Sequence, residues 1–161
     1  MVQSVQFIDS SLFNPLKQKA LASPRLRTNY NYHSGDADNP HRFLNVLAQG
    51  TFIPPHRHLD PPKSETLLVL EGKVGFFLFD DEGRVTSAEE IGDRGRIGVD
   101  IPSGVWHTLV VLTPFAVVFE VKAGPYDPSL GRDFAPWAPR EADPGAADYN
   151  EQLITYLPRL D

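Results

Sequence analysis

The 161-residue sequence contains no cysteine. That absence excludes disulfides, thiolate zinc sites and iron–sulfur clusters in one step. No apolar run approaches the roughly 18 residues needed to span a bilayer as a helix, so no membrane partner is expected. Positive charge is in deficit: 15 Lys and Arg stand against 21 Asp and Glu, a formal charge of −6. With a pI near 5.3, nucleic acid and anionic lipid are poor main partners. The opening residues, MVQSVQFIDSSLF, lack a basic region followed by a long apolar stretch, so they do not read as a secretory signal and the expected location is cytoplasmic.

What is present suits a single domain, large enough to form a core without staples. Residues 1–40 read as an N-terminal helical and loop extension. Asn14-Pro15 makes a fair cap and first turn for a short helix over LKQKALA (16–22), ended by Ser23-Pro24. The stretch from Asn29 to Pro40, rich in Asn, Asp, Ser and Gly, reads as loop. From residue 41 to 123 the pattern changes. RFLNVLA, ETLLVLEG, KVGFFLFD, RIGVDIP, WHTLVVLT and FAVVFEVK are short, rich in Val, Leu and Phe, and separated by turn signals. Phe115, Val117, Phe119 and Val121 share one face of a strand, with Ala116 and Val118 on the other. Strands apolar on both faces belong in a sandwich or barrel covered on its outside. Residues 124–161 combine a Pro-rich segment with a short C-terminal helix (ADYNEQLITYL). Tyr126, Phe134 and Trp137 imply that this stretch is ordered and packed on the barrel or a neighbouring subunit.

Two stretches carry the chemistry. His56 and His58, at i and i+2 of an extended segment, share a face. Glu65 opens the next strand beyond a Pro-rich turn, and His107 begins a later one after the turn holding Pro102 and Gly104. Three imidazoles and one carboxylate from neighbouring strands form a half-shell for one divalent transition metal, with positions left open for water or substrate. This donor set suits Fe, Mn, Ni, Zn or Cu and does not choose among them. Ligating imidazoles must be neutral, so metal is expected to leave as pH falls through roughly 6 to 5.

These segments resemble the two signature motifs of the cupin superfamily, G(x)5HxH(x)3–6E(x)6G and G(x)5PxG(x)2H(x)3N. The first matches at every fixed position, from Gly50 through Glu65 to Gly72. In the second, Pro102, Gly104 and His107 match, whereas Arg96 and Val111 stand where Gly and Asn are usual. SPRLRTNYNYH, PPHRH, LFDDEGRV, IPSGVWHTLV, FEVKAGPYDP and DFAPWAP further resemble WbuC-type cupin metalloproteins, a likeness spanning about residues 23–140. The resemblance implies an all-β fold: a single-domain cupin, a double-stranded β-helix or jelly-roll barrel with short N- and C-terminal helical extensions. It also implies a homodimer, because cupin barrels commonly pair, and a link with O-antigen polysaccharide gene clusters. It brings no reaction.

Four further residues are substrate-pocket candidates. His33 is a proton shuttle or an exposed loop histidine. Asn45, within an apolar strand, is a pocket amide or a strand-edge residue. Lys63 meets an anion at the pocket mouth or is a solvated turn lysine, and Glu120 must pair if its face is interior. His41 has less to recommend it, and Arg25 and Arg27 read as surface. Trp106, Tyr126, Phe134 and Trp137 line a sugar-stacking surface or, more commonly for such aromatics, cover the barrel or a dimer interface. The leading reading is a metalloprotein acting on a small polar metabolite, as an oxygenase, isomerase or lyase, if an enzyme at all. A non-catalytic small-molecule binding or sensing module is the first rival. A metal-free sugar-nucleotide isomerase or epimerase is the second.

Overall fold

The runs of β-branched and aromatic residues become antiparallel strands, and the turn signals between them become the reversals. In the computed structural model, which describes residues 5–92, 95–127 and 133–158, they form two five-stranded sheets. One sheet has the order β1 (Arg27–Asn31), β2 (His41–Ala48), β9 (Phe115–Lys122), β4 (Glu65–Glu71) and β7 (Gly98–Ile101). The other has the order β10 (Asp133–Phe134), β3 (His56–Arg57), β8 (Trp106–Val111), β5 (Lys73–Phe79) and β6 (Val85–Gly92). The chain passes from sheet to sheet, and the two inner faces enclose the interior of a jelly roll.

Alternation along β9 shows how both faces are used. Ala116 and Val118 join the cluster between the sheets, with Leu67, Phe76, Ile91 and Leu109. Val117 and Phe119 point outward and pack under α1 (Ser10–Ala22), which lays Phe13, Leu16 and Ala20 against Leu44 and Val46. On the other sheet Phe77, Phe79, Trp106 and Val110 are covered by Ala135, Trp137 and Leu153, the last from α2 (Ala146–Ile154). The Pro-rich segment is thus packed on the barrel at Ala135 and Trp137; residues 128–132 within it, and 159–161 of the tail, lie outside the described residues.

Gly72, between β4 and β5, has φ 78°, and a Cβ there would lie 2.1 Å from the carbonyl oxygen of Phe115. No other residue fits that reversal.

The N-terminal helix starts earlier than the Asn14-Pro15 cap predicts. Asp9 caps it, Oδ1 accepting from Ser11 N at 2.9 Å, and Pro15 sits inside. The buried stripe of Phe13, Leu16 and Ala20 offsets the backbone hydrogen bond that Pro15 removes. Part of the stretch expected as loop from Asn29 is strand β1, paired with β2 from Arg27↔Leu47 to Asn31↔Phe43. Tertiary pairing here overrides the low strand preference of Asn. Strand β6, with the polar sequence VTSAEEIG, shows no apolar pattern and owes its form to the ladder it shares with β5.

Candidate metal centre

The segment carrying His56 and His58 is extended but barely paired: β3 meets β8 at the single register His56↔His107. Glu65 opens β4 on the facing sheet, paired with Lys122 of β9. The four side chains converge, as the spacing predicts. One donor atom from each of His56, His58, Glu65 and His107 lies within 4.8 Å of the others, and all four residues are buried.

Hydrogen bonds aim the rings. Nδ1 of His56 lies 3.0 Å from the Pro54 carbonyl oxygen, and Nδ1 of His107 lies 2.9 Å from that of Val105. A carbonyl can only accept, so each Nδ1 donates, which leaves each Nε2 to take up a proton or a cation. Carbonyl partners of this kind orient metal-ligating histidines. Glu65 Oε1 stands 2.7 Å from His107 Nε2 and 3.6 Å from His58 Nε2. Burial alone would raise the Glu65 pKa. The hydrogen bonds to His107 and His58 and the charges of His107 and Lys122 outweigh it and hold the carboxyl well below the usual carboxylate range. An ionised carboxylate and an imidazole lone pair do not approach this closely unless a positive charge joins them, either a proton or a metal ion. The donor set therefore fits a divalent cation.

The centre opens into a cavity of about 570 Å³. All four pocket candidates line it: His33, Asn45, Lys63 and Glu120. Glu120 is interior and paired, with Oε2 accepting from Asn45 Nδ2 at 2.6 Å and Oε1 from Lys122 Nζ at 2.7 Å. Lys63 donates to the carbonyl of Pro125 across the mouth. His33 is half-buried and stacks on His41, ring centroids 4.0 Å apart.

Three readings need correction. His41 is buried and lines the cavity, because β2 begins with it and turns it inward. Arg27 is not plain surface: its side chain is 11% exposed and 2.7 Å from Glu141 Oε1, brought there by the folded-back C-terminal segment. Arg25 shares that carboxylate and stays more exposed. The aromatics divide. Trp106 and Trp137 cover the barrel, whereas Tyr126 and Phe134 line the cavity.

Sequence reasoning missed Lys122, which lies 3.8 Å from Glu65 Oε2 and links it to Glu120. The signal was present, since Lys122 is two residues past Glu120 and shares its face. It also missed the outer clamp. Arg57, between the two histidines, points the opposite way, its guanidinium 4.2 Å from the Trp106 ring and 3.3 Å from Asp133.

Two antiparallel sheets closed into a jelly roll make the fold that of a cupin, with a buried His₃Glu cluster whose donor atoms could hold a metal ion. Residues 8–91 match the family model described as "Domain of unknown function (DUF6016)", and the chain belongs to that family. No curated protein matches the sequence. Cupin-fold solved structures resemble it. The capsular polysaccharide assembling protein CapF from Staphylococcus aureus aligns with TM-score 0.58 and 20% identity over 70% of this chain, which spans only 32% of CapF. BH2720 from Bacillus halodurans aligns at 0.53 with 20% identity over 78% of this chain and 85% of its own. KdgF from Halomonas sp. gives 0.52 and 15%, covering 67% and 88%. At these identities the likeness speaks for the fold alone. Among the described residues no helix is long and apolar enough to cross a membrane.

Proposed function

We propose that this protein uses His56, His58, Glu65 and His107 to hold one divalent transition metal and acts on a small polar metabolite in the adjoining cavity. The observation that carries the reading is the mutual approach of four buried donor atoms within 4.8 Å. A bound ion would supply Lewis-acid or redox chemistry to a substrate carbonyl or hydroxyl at its open positions. The protein's own residues do the rest. The carbonyls of Pro54 and Val105 fix the imidazoles, Lys122 balances Glu65 and Glu120, and Phe134 of β10 stands beside His56. Lys63 at the mouth, which donates to the Pro125 carbonyl, would meet an anionic group of the substrate. Resemblance to WbuC-type proteins, together with the likeness to CapF, a capsular polysaccharide assembling protein, supports a carbohydrate-related metabolite. A cytoplasmic homodimer belongs to the same reading; a monomer mass by light scattering at high concentration would remove the dimer.

The test is metal content by inductively coupled plasma mass spectrometry on untagged protein, beside His107→Ala. About one equivalent of one metal is expected in the wild type, and loss of most of it in the variant. Wild-type protein that stays empty after anaerobic reconstitution would sink the metal. The contact of His107 Nε2 with Glu65 at 2.7 Å would then favour a second reading, a His–carboxylate pair that moves a proton in a metal-free isomerase. Turnover separates either enzyme from a binding module, which would be stabilised by its ligand and return it unchanged.

A further inference from the structure

The charges around the cavity match in its depth and not at its rim. Deep inside, Glu65 belongs to the cation it shares with the histidines, and Glu120 accepts from Lys122 Nζ at 2.7 Å. At the rim, Arg25 Nε and Arg27 Nη1 both stand 2.7 Å from one oxygen, Oε1 of Glu141. Two positive charges thus meet a single negative one. Asp36, the remaining acid of the lining, is exposed and ion-pairs with neither arginine. The surplus stands in a chain whose formal charge is −6, so overall composition does not account for it.

The two arginines have different surroundings. Arg27 is 11% exposed, and its Nη1 also donates to Thr51 Oγ1 at 3.2 Å and to the Phe52 carbonyl at 3.1 Å. It ties β1 to the segment that leads into His56, and Glu141 is enough to neutralise it. Arg25 adds nothing to that tie. Its side chain is 58% exposed and held through Nε alone, so Nη1 and Nη2 donate to no described residue. A second guanidinium on a carboxylate already used is repelled by the first, a cost that a further anion beside them offsets. The outer edge of a guanidinium is the fork that fits a carboxylate or a phosphate through two parallel hydrogen bonds.

Strand register fixes where this fork stands. Arg27 pairs with Leu47 of β2, whereas the metal-centre end of that strand is His41, paired with Lys122, which pairs with Glu65. Roughly 20 Å of strand separates the two ends. Lys63, bonded to Pro125 beside the Asp36 loop, is at the His41 end. Arg25 and Lys63 therefore sit at opposite ends of one cavity, and Asn29 and Asn31 line the wall between them.

We infer that Arg25, held by Glu141 and backed by Arg27, is an oxyanion-binding point for the end of the ligand remote from the metal centre, and that this end carries a carboxylate or a phosphate. The inference rests on the metal-centre reading only for what the near end of the ligand does. The full-length protein, isotope-labelled and freed of metal by dialysis against EDTA, is titrated with inorganic phosphate, with acetate and, as the neutral probe, with D-glucitol. The Nε–H resonances of Arg25 and Arg27 are followed by NMR, beside Arg25→Met and Lys63→Met, whose folds are checked by circular dichroism.

Phosphate, acetate or both are expected to shift the Arg25 resonance saturably, and the one that binds tells whether the group is phosphate or carboxylate. Glucitol is expected to leave it where it is. Arg25→Met should weaken the anion about tenfold or more, the loss of a charge-assisted pair of hydrogen bonds, and Lys63→Met should not. Shifts that never saturate, that glucitol reproduces, or whose affinity survives Arg25→Met overturn the inference. So does a response lost with Lys63 instead. The Arg25 resonance is read in the wild type, so a variant that fails to fold does not remove the test. Zinc uptake, measured separately, decides the metal reading. An Arg25 response in protein that takes no zinc leaves the anion point standing, and zinc uptake with no Arg25 response is the reverse.

Discussion

The two ends of the barrel interior are built from the same strands and have opposite chemistry. Towards one end Leu47, Leu67, Phe76, Leu109, Val111 and Val118 close into an apolar cluster, of which Leu47, Leu67, Leu109 and Val118 also form the cavity floor. Towards the other the same strands offer His41, Asn45, Glu65, His107, Glu120 and Lys122 to a cavity. Strand β9 makes the change within a single face, from Ala116 and Val118 to Glu120 and Lys122. The apolar end supplies stability through area removed from water. The polar end costs stability, since each buried charge must be matched before it can be tolerated. A site of this kind persists only because the other half of the barrel is an ordinary core.

That contrast can be broken at either end. Phe76→Ala, in the apolar cluster and stacked on the His107 ring, is expected to cost about 3–5 kcal/mol by urea unfolding. His107→Ala should do the opposite, removing most of the bound metal from protein that still folds. Lys122→Met leaves Glu120 and Glu65 without their buried cation and is expected to cost roughly 3–5 kcal/mol or less. Adding Glu120→Gln should recover part of that loss. A double variant no better than the single would show that packing of Lys122 over the Phe43 ring, 5.2 Å away, matters more than its charge.

The smallest effect is expected at the rim. Burial raises the Glu141 pKa, but hydrogen bonds and charge from Arg25 and Arg27 outweigh it and set the carboxyl below its ordinary value. A group depressed in the folded state adds stability above its unfolded pKa and loses it as pH falls through the folded one. Glu141→Gln should therefore lower the unfolding midpoint slightly at pH 7 and leave it unchanged near pH 2, in wild-type and variant denaturation curves run side by side.

How much of this is legible without coordinates depends on range. The strand runs, the reversal at Gly72 and the HxH spacing are local patterns, and the strands that carry His56, Glu65 and His107 lie where they indicate. Pocket residues were legible only as pairs of alternatives, because whether Asn45 or Glu120 faces the interior depends on register with strands distant in sequence. β1 was hidden by its composition: Asn29 and Asn31 look like loop until β2 pairs with them. β6 was hidden for the same reason.

The sequence by itself determined the class of fold and the four converging side chains, because a period of two and a fixed motif spacing act within a few residues. Only the tertiary structure decided that Lys122 stands between two carboxylates, that Arg27 meets Glu141 from 114 residues away, and that His41 faces inward. Those contacts arise where the chain returns to itself. Their energies come from burial and matched charge, quantities that no stretch of sequence possesses until it is packed against another.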